Sequence, residues 1–404
     1  MKIGILTYHK ACNFGANLQL FSTYNYIRNQ GHTPIIINWS TKALDDFFVR
    51  KTPAVQYEEH RRFREENLLL TRSCTTDYDV AKVIEEEDIK GVIIGSDAVL
   101  QHHPKLERLY FSRRKIIGVR GIGVDRMCPN PFWGSFIPLL SKDLPVCVMS
   151  ASSQNSEYHF LTLREREMIK EHLLRFSYIS TRDDWTSKMV SSITNGTIVP
   201  EVTPDPVFAF NYNVTNQISE DEIRTKYHLE NPYYVFSFLD DKTVDTDWLD
   251  NFQRITDKDC IALPFPYGVR FNHPFKKEIG LPLSPLEWYA LIKYSSGYIG
   301  HNMHPIVVSL HNSVPCFSFD NYGLVRLRYF VNEKSSKIYH ILKEFGLLGN
   351  RVSSKRPMSA PPPVRSVLEL LDSYDKHHVM NMSKEYHARY EKMMCSIMRI
   401  VTNG

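Results

Sequence analysis

Two histidines and an amide stand together in the segment Gly300–Pro305, whose sequence is GHNMHP. The apolar run before it, Ser296–Gly300, is typical of a buried strand, and the run after it, Pro305–His311, is typical of a helix. Pro305 suits the first turn of a helix, because the N–H that proline lacks has no partner there. His304 is then expected next to the N-cap, beside free backbone N–H groups and the positive end of the helix dipole. A proton donor beside an anion pocket suits chemistry on a phosphorylated or carboxylated substrate; the alternative is a helix start whose histidines only satisfy backbone groups.

The loop that opens the first predicted helix combines Asn13 with the small residues Gly15 and Ala16. Small residues let a ligand approach the backbone, and a helix start favours an anion. The loop is therefore a candidate anion-binding site. Asn13 is equally a good N-cap residue in a protein with no ligand at this place.

Two further polar segments follow apolar runs. Ser96 and Asp97 follow the run 91–95, and Arg182 follows the run 178–180. Polar side chains at the carboxyl ends of parallel strands lie where such folds build ligand sites, and an arginine there can pair bidentately with a carboxylate or phosphate. The alternatives are a helix cap at Ser96–Asp97 and a structural ion pair between Arg182 and one of three nearby acids: Asp183, Asp184 or Asp205.

These residues need a framework of strands and helices to bring them together. Residues 2–39 follow a strand–helix–strand pattern, and further apolar runs at 91–95, 146–149 and 178–180 alternate with helical stretches. Such alternation is typical of a parallel α/β sheet. The pattern weakens between residues 194 and 231 and then restarts, which predicts a second α/β domain and a ligand cleft between the two. We predict domains at 1–215 and 230–350, followed by a Pro-rich linker and C-terminal helices at 351–404.

Composition limits the classes of function. The chain has 404 residues, 43% of them hydrophobic and 23% charged, with a net charge of +4, so two globular domains are expected and nucleic-acid binding is not. The seven cysteines are scattered without a C-x-x-C pair, which favours a reducing cytosol. The opening segment is expected to be a strand and not a signal peptide. His301 and His304 have no third ligand adjacent to them, so no metal site is predicted.

Taken in order, these segments resemble the polysaccharide pyruvyl transferase family over about residues 1–325. The pieces that carry the resemblance are Ile3–His9, Asn13–Ala16 with Leu18 and Gln19, Gly31-His32, Gly95–Asp97, Ser180–Asp183, Asp205-Pro206, Gly300–His304 and Ser313–Pro315. The resemblance implies two Rossmann-like domains that face each other across a cleft, as in GT-B glycosyltransferases. It also implies transfer of pyruvate from phosphoenolpyruvate to two hydroxyls of a sugar in a capsular, exopolysaccharide or cell-wall glycan precursor, which forms a cyclic ketal.

The resemblance also assigns roles to residues. His304 and Asp97 are expected to be catalytic. The expected donor-binding residues are Asn13, Gly15, Ala16, Ser96 and Arg182, and the expected substrate-binding residues are His301, Asn302, Arg270 and Asp320. No cofactor is expected besides phosphoenolpyruvate as donor substrate, and the acceptor is a sugar or lipid-linked oligosaccharide. The location implied is the cytoplasm, with peripheral contact at the inner face of the membrane as a further expectation.

One position departs from the family pattern. Many members carry an arginine two residues before the histidine, and Asn302 stands there in this chain. An amide can orient an oxygen atom but cannot neutralise a phosphate or carboxylate. The missing positive charge must then come from elsewhere, and the sequence does not choose among Arg182, Arg270, Lys276, Arg326 and Arg328.

Histidine suits this chemistry because its unperturbed pKa of ~6.5 lies near neutral pH. Two other functions remain open. A glycosyltransferase with a nucleotide-sugar donor can share the architecture, and a non-catalytic glycan-binding member of the family would also keep the fold. Asn302 in place of arginine gives this last alternative some weight.

Overall fold

A computed structural model of the chain describes residues 1–111, 117–154, 156–326, 330–355 and 360–403. The first part of the chain folds into eight strands and eight helices. In chain order they are β1 (Lys2–Leu6), α1 (Phe14–Asn29), β2 (Thr33–Ile36), α2 (Lys42–Lys51), α3 (Ala54–Asn67), α4 (Asp77–Glu86), β3 (Ile89–Asp97), β4 (Leu109–Phe111), β5 (Ile117–Val119), β6 (Val146–Ala151), α5 (Leu163–Leu173), β7 (Tyr178–Thr181), α6 (Asp184–Ile193), β8 (Glu201–Val202), α7 (Phe210–Asn213) and α8 (Glu220–Tyr227).

The N-terminal domain is built on a six-stranded sheet in the order β2-β1-β3-β6-β7-β8, with every pair parallel. Its central strands are buried along their length, as the continuous apolar runs of the sequence predict for a sheet covered on both faces. Parallel strands need crossover helices, and the carboxyl ends of all six strands therefore lie at one edge of the sheet. The loops after β1 and β3 leave from that edge.

The second part of the chain repeats this architecture. Its elements are β9 (Tyr233–Ser237), α9 (Thr246–Ile255), β10 (Asp259–Ala262), β11 (Lys277–Glu278), α10 (Pro285–Lys293), β12 (Gly297–Gly300), α11 (Met303–His311), β13 (Cys316–Asp320), β14 (Leu324–Arg326), β15 (Phe330–Asn332), α12 (Lys337–Glu344), β16 (Arg351–Ser353), α13 (Val364–Asp372) and α14 (Lys376–Asn403). The sheet order is β11-β10-β9-β12-β13-β16, again parallel throughout. The prediction of two α/β domains that face each other across a cleft is confirmed.

The C-terminal segment is divided between the two domains, whereas the sequence led us to expect a separate unit from residue 351. β16 completes the second sheet, and α13 packs on that sheet through Val364, Val367 and Leu371. α14 returns to the first domain, where the sulfur of Met393 accepts hydrogen bonds from the hydroxyls of Ser150 and Ser180. The second domain therefore extends beyond its predicted end at residue 350 and includes α13. The last helix of the chain, α14, belongs to the first domain.

The two domains share a continuous core. One buried cluster includes residues from the first sheet, from α1, from α10 and α11, and from α14. Within the described ranges no helix is both long and apolar enough to cross a membrane.

Candidate functional site

A cavity of about 610 Å³ lies between the domains, at the carboxyl ends of the strands of both sheets. Loops and helix starts from each domain form its wall. The N-terminal domain contributes Tyr8, Ala11, Cys12, Asn13, Phe14, Gly15, Leu44, Phe48, Asp97, Ala98, Gln101, Asp125, Arg126 and Gln154, and the C-terminal domain contributes Ser237, Leu239, Pro264, Phe265, Pro266, Tyr267, Trp288, Asn302, Met303, His304, Pro305, Asn321, Tyr322, Lys337 and Lys355.

Helix α1 begins at this cavity. Asn13 is its N-cap, with φ −147° and ψ 112°, and the side-chain oxygen accepts a hydrogen bond from the N–H of Ala16 at 3.3 Å. The first N–H groups of a helix have no partner inside the helix, so those of Phe14 and Gly15 remain available to a ligand. Asn13 and Gly15 line the cavity as predicted, whereas the N–H of Ala16 is used by the cap and Ala16 does not line the cavity.

Helix α11 begins at the same cavity, from the other domain. It starts at Met303, two residues before the predicted start, with Asn302 as its N-cap in an extended conformation (φ −93°, ψ 150°). Asparagine is a preferred N-cap, and proline is tolerated anywhere in the first turn because no N–H bond is lost there. His304 is therefore the second residue inside the helix and Pro305 the third. The Asn302 side chain makes no capping hydrogen bond.

The starts of the two helices touch at Gly15 and His304. A Cβ atom built on Gly15 would overlap the imidazole ring of His304. The absence of a side chain at position 15 thus lets the two domains approach each other at the imidazole. Phe14, beside it, stacks on Trp288 with ring centroids 5.4 Å apart, which adds a second contact between the domains.

His304 is held uncharged in this position. Burial lowers its pKa to about 3, the nearby carboxylate of Asp97 opposes the shift, and the charges of Arg182 and Lys337 add to it. Its Nε2 atom is enclosed and has no hydrogen-bond partner in the part of the chain that the structure describes. A neutral imidazole with an unsatisfied nitrogen can accept a proton or form a hydrogen bond with a ligand that reaches it.

Asp97 ends strand β3 and lines the cavity. Its backbone has φ 91°, a left-handed conformation that costs energy for a residue other than glycine and is found most often at functional sites. One carboxylate oxygen accepts a hydrogen bond from the N–H of Ala98 at 2.8 Å and lies 3.9 Å from Nη2 of Arg182. The helix cap considered for this position does not form, since the strand continues through Asp97.

Two predicted donor-binding residues lie behind the cavity wall. Arg182 is buried and donates a hydrogen bond from Nη1 to the carboxylate of Asp205 at 2.9 Å, so the structural ion pair is the interpretation that the structure supports. The Ser96 hydroxyl donates to the carbonyl of Ser150 at 3.0 Å. Neither residue lines the cavity, and the Ser96 hydroxyl is used inside the protein. Within the described residues, Nε and Nη2 of Arg182 have no hydrogen-bond partner, so direct contact of this side chain with a donor stays a prediction.

Two predicted substrate-binding residues are also used inside the fold. His301 is buried: its Nδ1 accepts a hydrogen bond from the N–H of Leu239 at 2.9 Å, and its Nε2 lies 2.8 Å from the hydroxyl of Thr243. Asp320 is fully buried and pairs with Arg351, with 2.6 Å between the carboxylate and Nε. The expectation that they contact substrate is therefore corrected, because their polar atoms already have partners.

Of the remaining candidates for a replacement cation, Arg270 and Lys276 do not line the cavity. Arg270 is exposed, with its guanidinium 5.4 Å from the ring centroid of Tyr267, and Lys276 is exposed on the same stretch of chain. The side chain of Arg326 and the whole of Arg328 lie outside the described residues. Asn302 itself does line the cavity, as predicted.

Sequence reasoning missed several residues on the wall, and Lys337 is the most important of them. It is the first residue of α12, directly after the N-cap Ser336. Ser335-Ser336-Lys337 has the composition of a helix start, and this was the one indication in the sequence that the lysine could face a cleft. Tyr8, which follows β1, and the buried Asp125 are further wall residues; the Tyr8 hydroxyl donates to the carbonyl of Asp125 at 3.1 Å.

Taken together, the wall combines two helix starts, a neutral imidazole and the carboxylates of Asp97 and Asp125. Helix starts bind anions, and the imidazole and carboxylates can move protons. Among the described residues, no three histidine, cysteine, aspartate or glutamate side chains come together as a set of metal ligands. The arrangement suits an anionic substrate beside a second substrate that carries hydroxyl groups.

Comparison with known families and folds adds to this geometry. The family model described as polysaccharide pyruvyl transferase matches residues 13–322, which is more than half of the chain and includes both helix starts. Among curated proteins, none matches the sequence significantly.

The fold is similar to that of solved structures at low sequence identity. UDP-GlcNAc 2-epimerase from Methanocaldococcus jannaschii has a TM-score of 0.53 at 13% identity, and 100% of each chain is covered. The epimerase from Neisseria meningitidis bound to UDP-GlcNAc has a TM-score of 0.52 at 7% identity, covering 98% of this chain and 99% of that one. The glycosyltransferase SnogD from Streptomyces nogalater has a TM-score of 0.50 at 12% identity, with 99% of both covered. These similarities show a GT-B-type fold.

Proposed function

Because this chain belongs to the polysaccharide pyruvyl transferase family, we propose that it transfers pyruvate from phosphoenolpyruvate to two hydroxyls of a sugar. The product is a cyclic ketal on a capsular, exopolysaccharide or cell-wall glycan precursor. The observation that carries the proposal is the imidazole of His304, whose Nε2 has no hydrogen-bond partner among the described residues and which lies where two helix starts from different domains meet in the cleft. A carboxylated phosphate ester needs anion-binding groups of this kind, and its enol needs a proton.

The first step adds one sugar hydroxyl across the C2=C3 double bond of the donor. His304, protonated once the dianionic donor binds beside it, delivers this proton to C3, which becomes a methyl group, and C2 takes on oxocarbenium character; the sugar oxygen then bonds to C2 and its hydroxyl proton returns to His304. Burial lowers the pKa of His304 to about 3, and the negative charge of the bound donor acts in the opposite direction, so that the imidazole gains a proton with the donor and is then a strong acid toward C3. A tetrahedral phosphate ester results.

The second step closes the ketal. The C2–O bond to phosphate breaks, phosphate leaves with the bonding electrons, and an oxocarbenium ion forms at C2. The second hydroxyl adds to C2 and loses its proton to a base, for which Asp97 is the candidate on the cavity wall. The N–H groups of Phe14 and Gly15 and those at the start of α11 would stabilise the negative charge of the departing phosphate.

The acceptor would lie against the part of the cavity that carries aromatic rings. Phe265 and Tyr267 stack on each other with centroids 5.4 Å apart and an interplanar angle of 5°, and both line the cavity. Sugar rings present apolar faces that pack on aromatic rings, while carboxylates such as Asp125 accept hydrogen bonds from sugar hydroxyls.

The decisive experiment incubates the purified protein with phosphoenolpyruvate and a panel of free and lipid-linked glycans. We expect release of inorganic phosphate together with a glycan product that has gained one pyruvyl ketal by mass spectrometry. Phosphate release without a modified glycan, or no reaction with any acceptor despite donor binding, would contradict the proposal.

A glycosyltransferase that uses a nucleotide-sugar donor is the second candidate, and the GT-B-type fold favours it. Thermal stabilisation separates the two functions. Phosphoenolpyruvate should raise the melting temperature and nucleotide sugars should leave it unchanged if the chain is a pyruvyl transferase, whereas the reverse is expected for a glycosyltransferase. Binding of glycan without turnover of either donor would instead indicate a non-catalytic member of the family.

A further inference from the structure

We infer that Lys337 is the cation that binds the phosphate or carboxylate of the anionic substrate, in place of the arginine that stands at position 302 in many family members. The inference rests on the proposed function for the identity of the substrate, and on the cavity wall alone for the identity of the cation. Among the described wall residues, three carry a positive charge: Arg126, Lys337 and Lys355.

Lys337 differs from the other two in how it is enclosed. The side chain of Arg126 is 49% exposed and lies 3.8 Å from the carboxylate of Asp125, and Lys355 is exposed at the edge of the cleft. Lys337 is half-buried, and its Nζ lies 4.5 Å from the centroid of the Tyr322 ring. No ion pair within the described part of the chain includes Lys337. An enclosed ammonium group without a carboxylate partner is costly unless an anion reaches it.

The segment that carries Lys337 is held in place by the buried Asp320. One oxygen of its carboxylate accepts hydrogen bonds from the hydroxyl of Ser336, the N-cap before Lys337, and from Nε of Arg351, both at 2.6 Å. The other oxygen accepts from the N–H of Tyr322 at 2.8 Å, so one carboxylate fixes both the lysine segment and the tyrosine against which the lysine lies. Asp320, expected to bind substrate, is better described as a positioning residue for Lys337.

Lys337 lines the same cavity as His304. The charge of Lys337 contributes to the low pKa of His304, which places the two groups within electrostatic reach of each other across the cavity. An anion bound between them would meet the ammonium group on one side and the imidazole and helix starts on the other. This is the arrangement that a phosphate ester undergoing proton transfer needs.

The charge of Lys337 is sensitive to pH in the alkaline range. Burial and the charge of Arg182 lower its pKa to about 8, while Asp97, Asp183 and Asp205 act in the opposite direction. Tyr322, the other ionisable group packed on it, has a pKa raised by its own burial and stays neutral in this range. Anion affinity that depends on Lys337 should therefore fall as pH rises through about 8. The phosphate group has a second pKa near ~6, so its own charge does not change there.

The test measures binding of phosphoenolpyruvate and, separately, inorganic phosphate to the full chain by calorimetry. Loss of a charged hydrogen-bonding partner typically weakens binding by about 10- to 100-fold, which is the loss expected for Lys337→Met. Lys337→Arg should keep most of the affinity and remove the alkaline decline, because a guanidinium stays charged. Lys334→Met is the matched control: the same change on the preceding turn, at an exposed residue that does not line the cavity.

The double variant Lys337→Met/Asn302→Arg tests directly whether a cation at position 302 can replace the one at position 337. We expect it to regain affinity for the anions that Lys337→Met loses. Four outcomes separate the two proposals. Unchanged anion affinity in a folded Lys337→Met protein overturns the inference but leaves the proposed function in place. Binding of phosphate that depends on Lys337, without binding of phosphoenolpyruvate, supports the inference and contradicts the proposed function. If binding of both anions depends on Lys337, both proposals are supported. If the wild-type chain binds neither anion, the inference is overturned.

Discussion

His304 is the residue whose removal tests the proposed chemistry most directly. General acid–base catalysis is typically worth about 10²–10⁴-fold, so His304→Ala should lower turnover by that order. His304→Gln should not rescue it, because an amide cannot exchange a proton near neutral pH. The measurement is kcat on a verified acceptor, with His377→Ala, an exposed change on α14, as control. Near-normal turnover in His304→Ala would contradict the assignment of His304 and make Asp97 the next candidate for the acid or base.

Turnover should be nearly as sensitive to substitution of Gly15 as to substitution of His304, although glycine has no side chain. In Gly15→Ala the new methyl group would overlap the imidazole, so the ring must shift and turnover should fall. Overpacking of this kind typically costs about 1–3 kcal/mol of stability. Adding His304→Ala to Gly15→Ala should recover part of that stability, because it removes the ring atoms that clash, while the Cβ of residue 304 stays 2.5 Å from the new methyl group. Urea unfolding of the four proteins of this cycle checks the prediction, and strictly additive losses would rule out the contact.

At the scale of elements, the pair Arg182–Asp205 lies between the end of β7 and helix α1. Asp205 also accepts a hydrogen bond from the amide of Gln19 on α1 and from the N–H of Val207 at 3.0 Å. Removing one partner of a buried ion pair typically costs about 3–5 kcal/mol, because the other charge remains buried. Arg182→Ala and Asp205→Ala should therefore both destabilise the protein strongly, measured as the free energy of unfolding in urea. A folded Arg182→Ala protein of unchanged stability that loses donor binding would restore the original expectation for this arginine.

The sequence was sufficient to predict the strands and helices, but it predicted the contacts between them less well. The buried strands were predictable because both faces of a parallel sheet are covered, which leaves continuous apolar runs. The cavity positions of Asn13, Gly15, Asp97 and His304 were predictable because ligand sites of α/β folds lie at strand ends. Ser96, Arg182, His301 and Asp320 lie at the same strand ends but point into the protein, and which way a side chain at a strand end points depends on partners distant in the chain. Lys337 was missed for a related reason: the composition of Ser335–Lys337 indicates a helix start but not the cavity that this helix start faces.

At the scale of the whole molecule, buried histidines make the fold sensitive to acid. Burial lowers the pKa of His9 and His301 to about 4 and of His60, His304 and His311 to about 3. These groups are neutral in the folded chain, whereas the unfolded chain binds their protons below about pH 6.5. Stability is therefore full above that pH and declines as pH falls toward about 4, by up to about 7 kcal/mol per pH unit if all five protons are taken up by the unfolded state.

His60 offers a way to check this pH dependence. Its side chain is fully buried, and within the described ranges neither ring nitrogen has a hydrogen-bond partner. Its ring centroid lies 5.1 Å from that of Phe14. His60→Leu should leave stability at pH 8 little changed and should make the decline between pH 6.5 and 4 shallower by about 1.4 kcal/mol per pH unit, the effect of one proton. Urea midpoints at a series of pH values provide the measurement, and an identical slope in the variant would contradict the assignment.

The return of α14 to the first domain has a mechanical consequence. The chain passes between the domains twice, once before β9 and once between α13 and α14, and Arg389 of α14 donates a hydrogen bond to the carbonyl of Val202 at 2.8 Å on the far side. Two rigid bodies joined at two separate points can rotate only about the line through those points. Any opening of the cleft is thereby reduced to one rotational degree of freedom, and each opening and closing would bring Gly15 and His304 back along the same arc to the same contact.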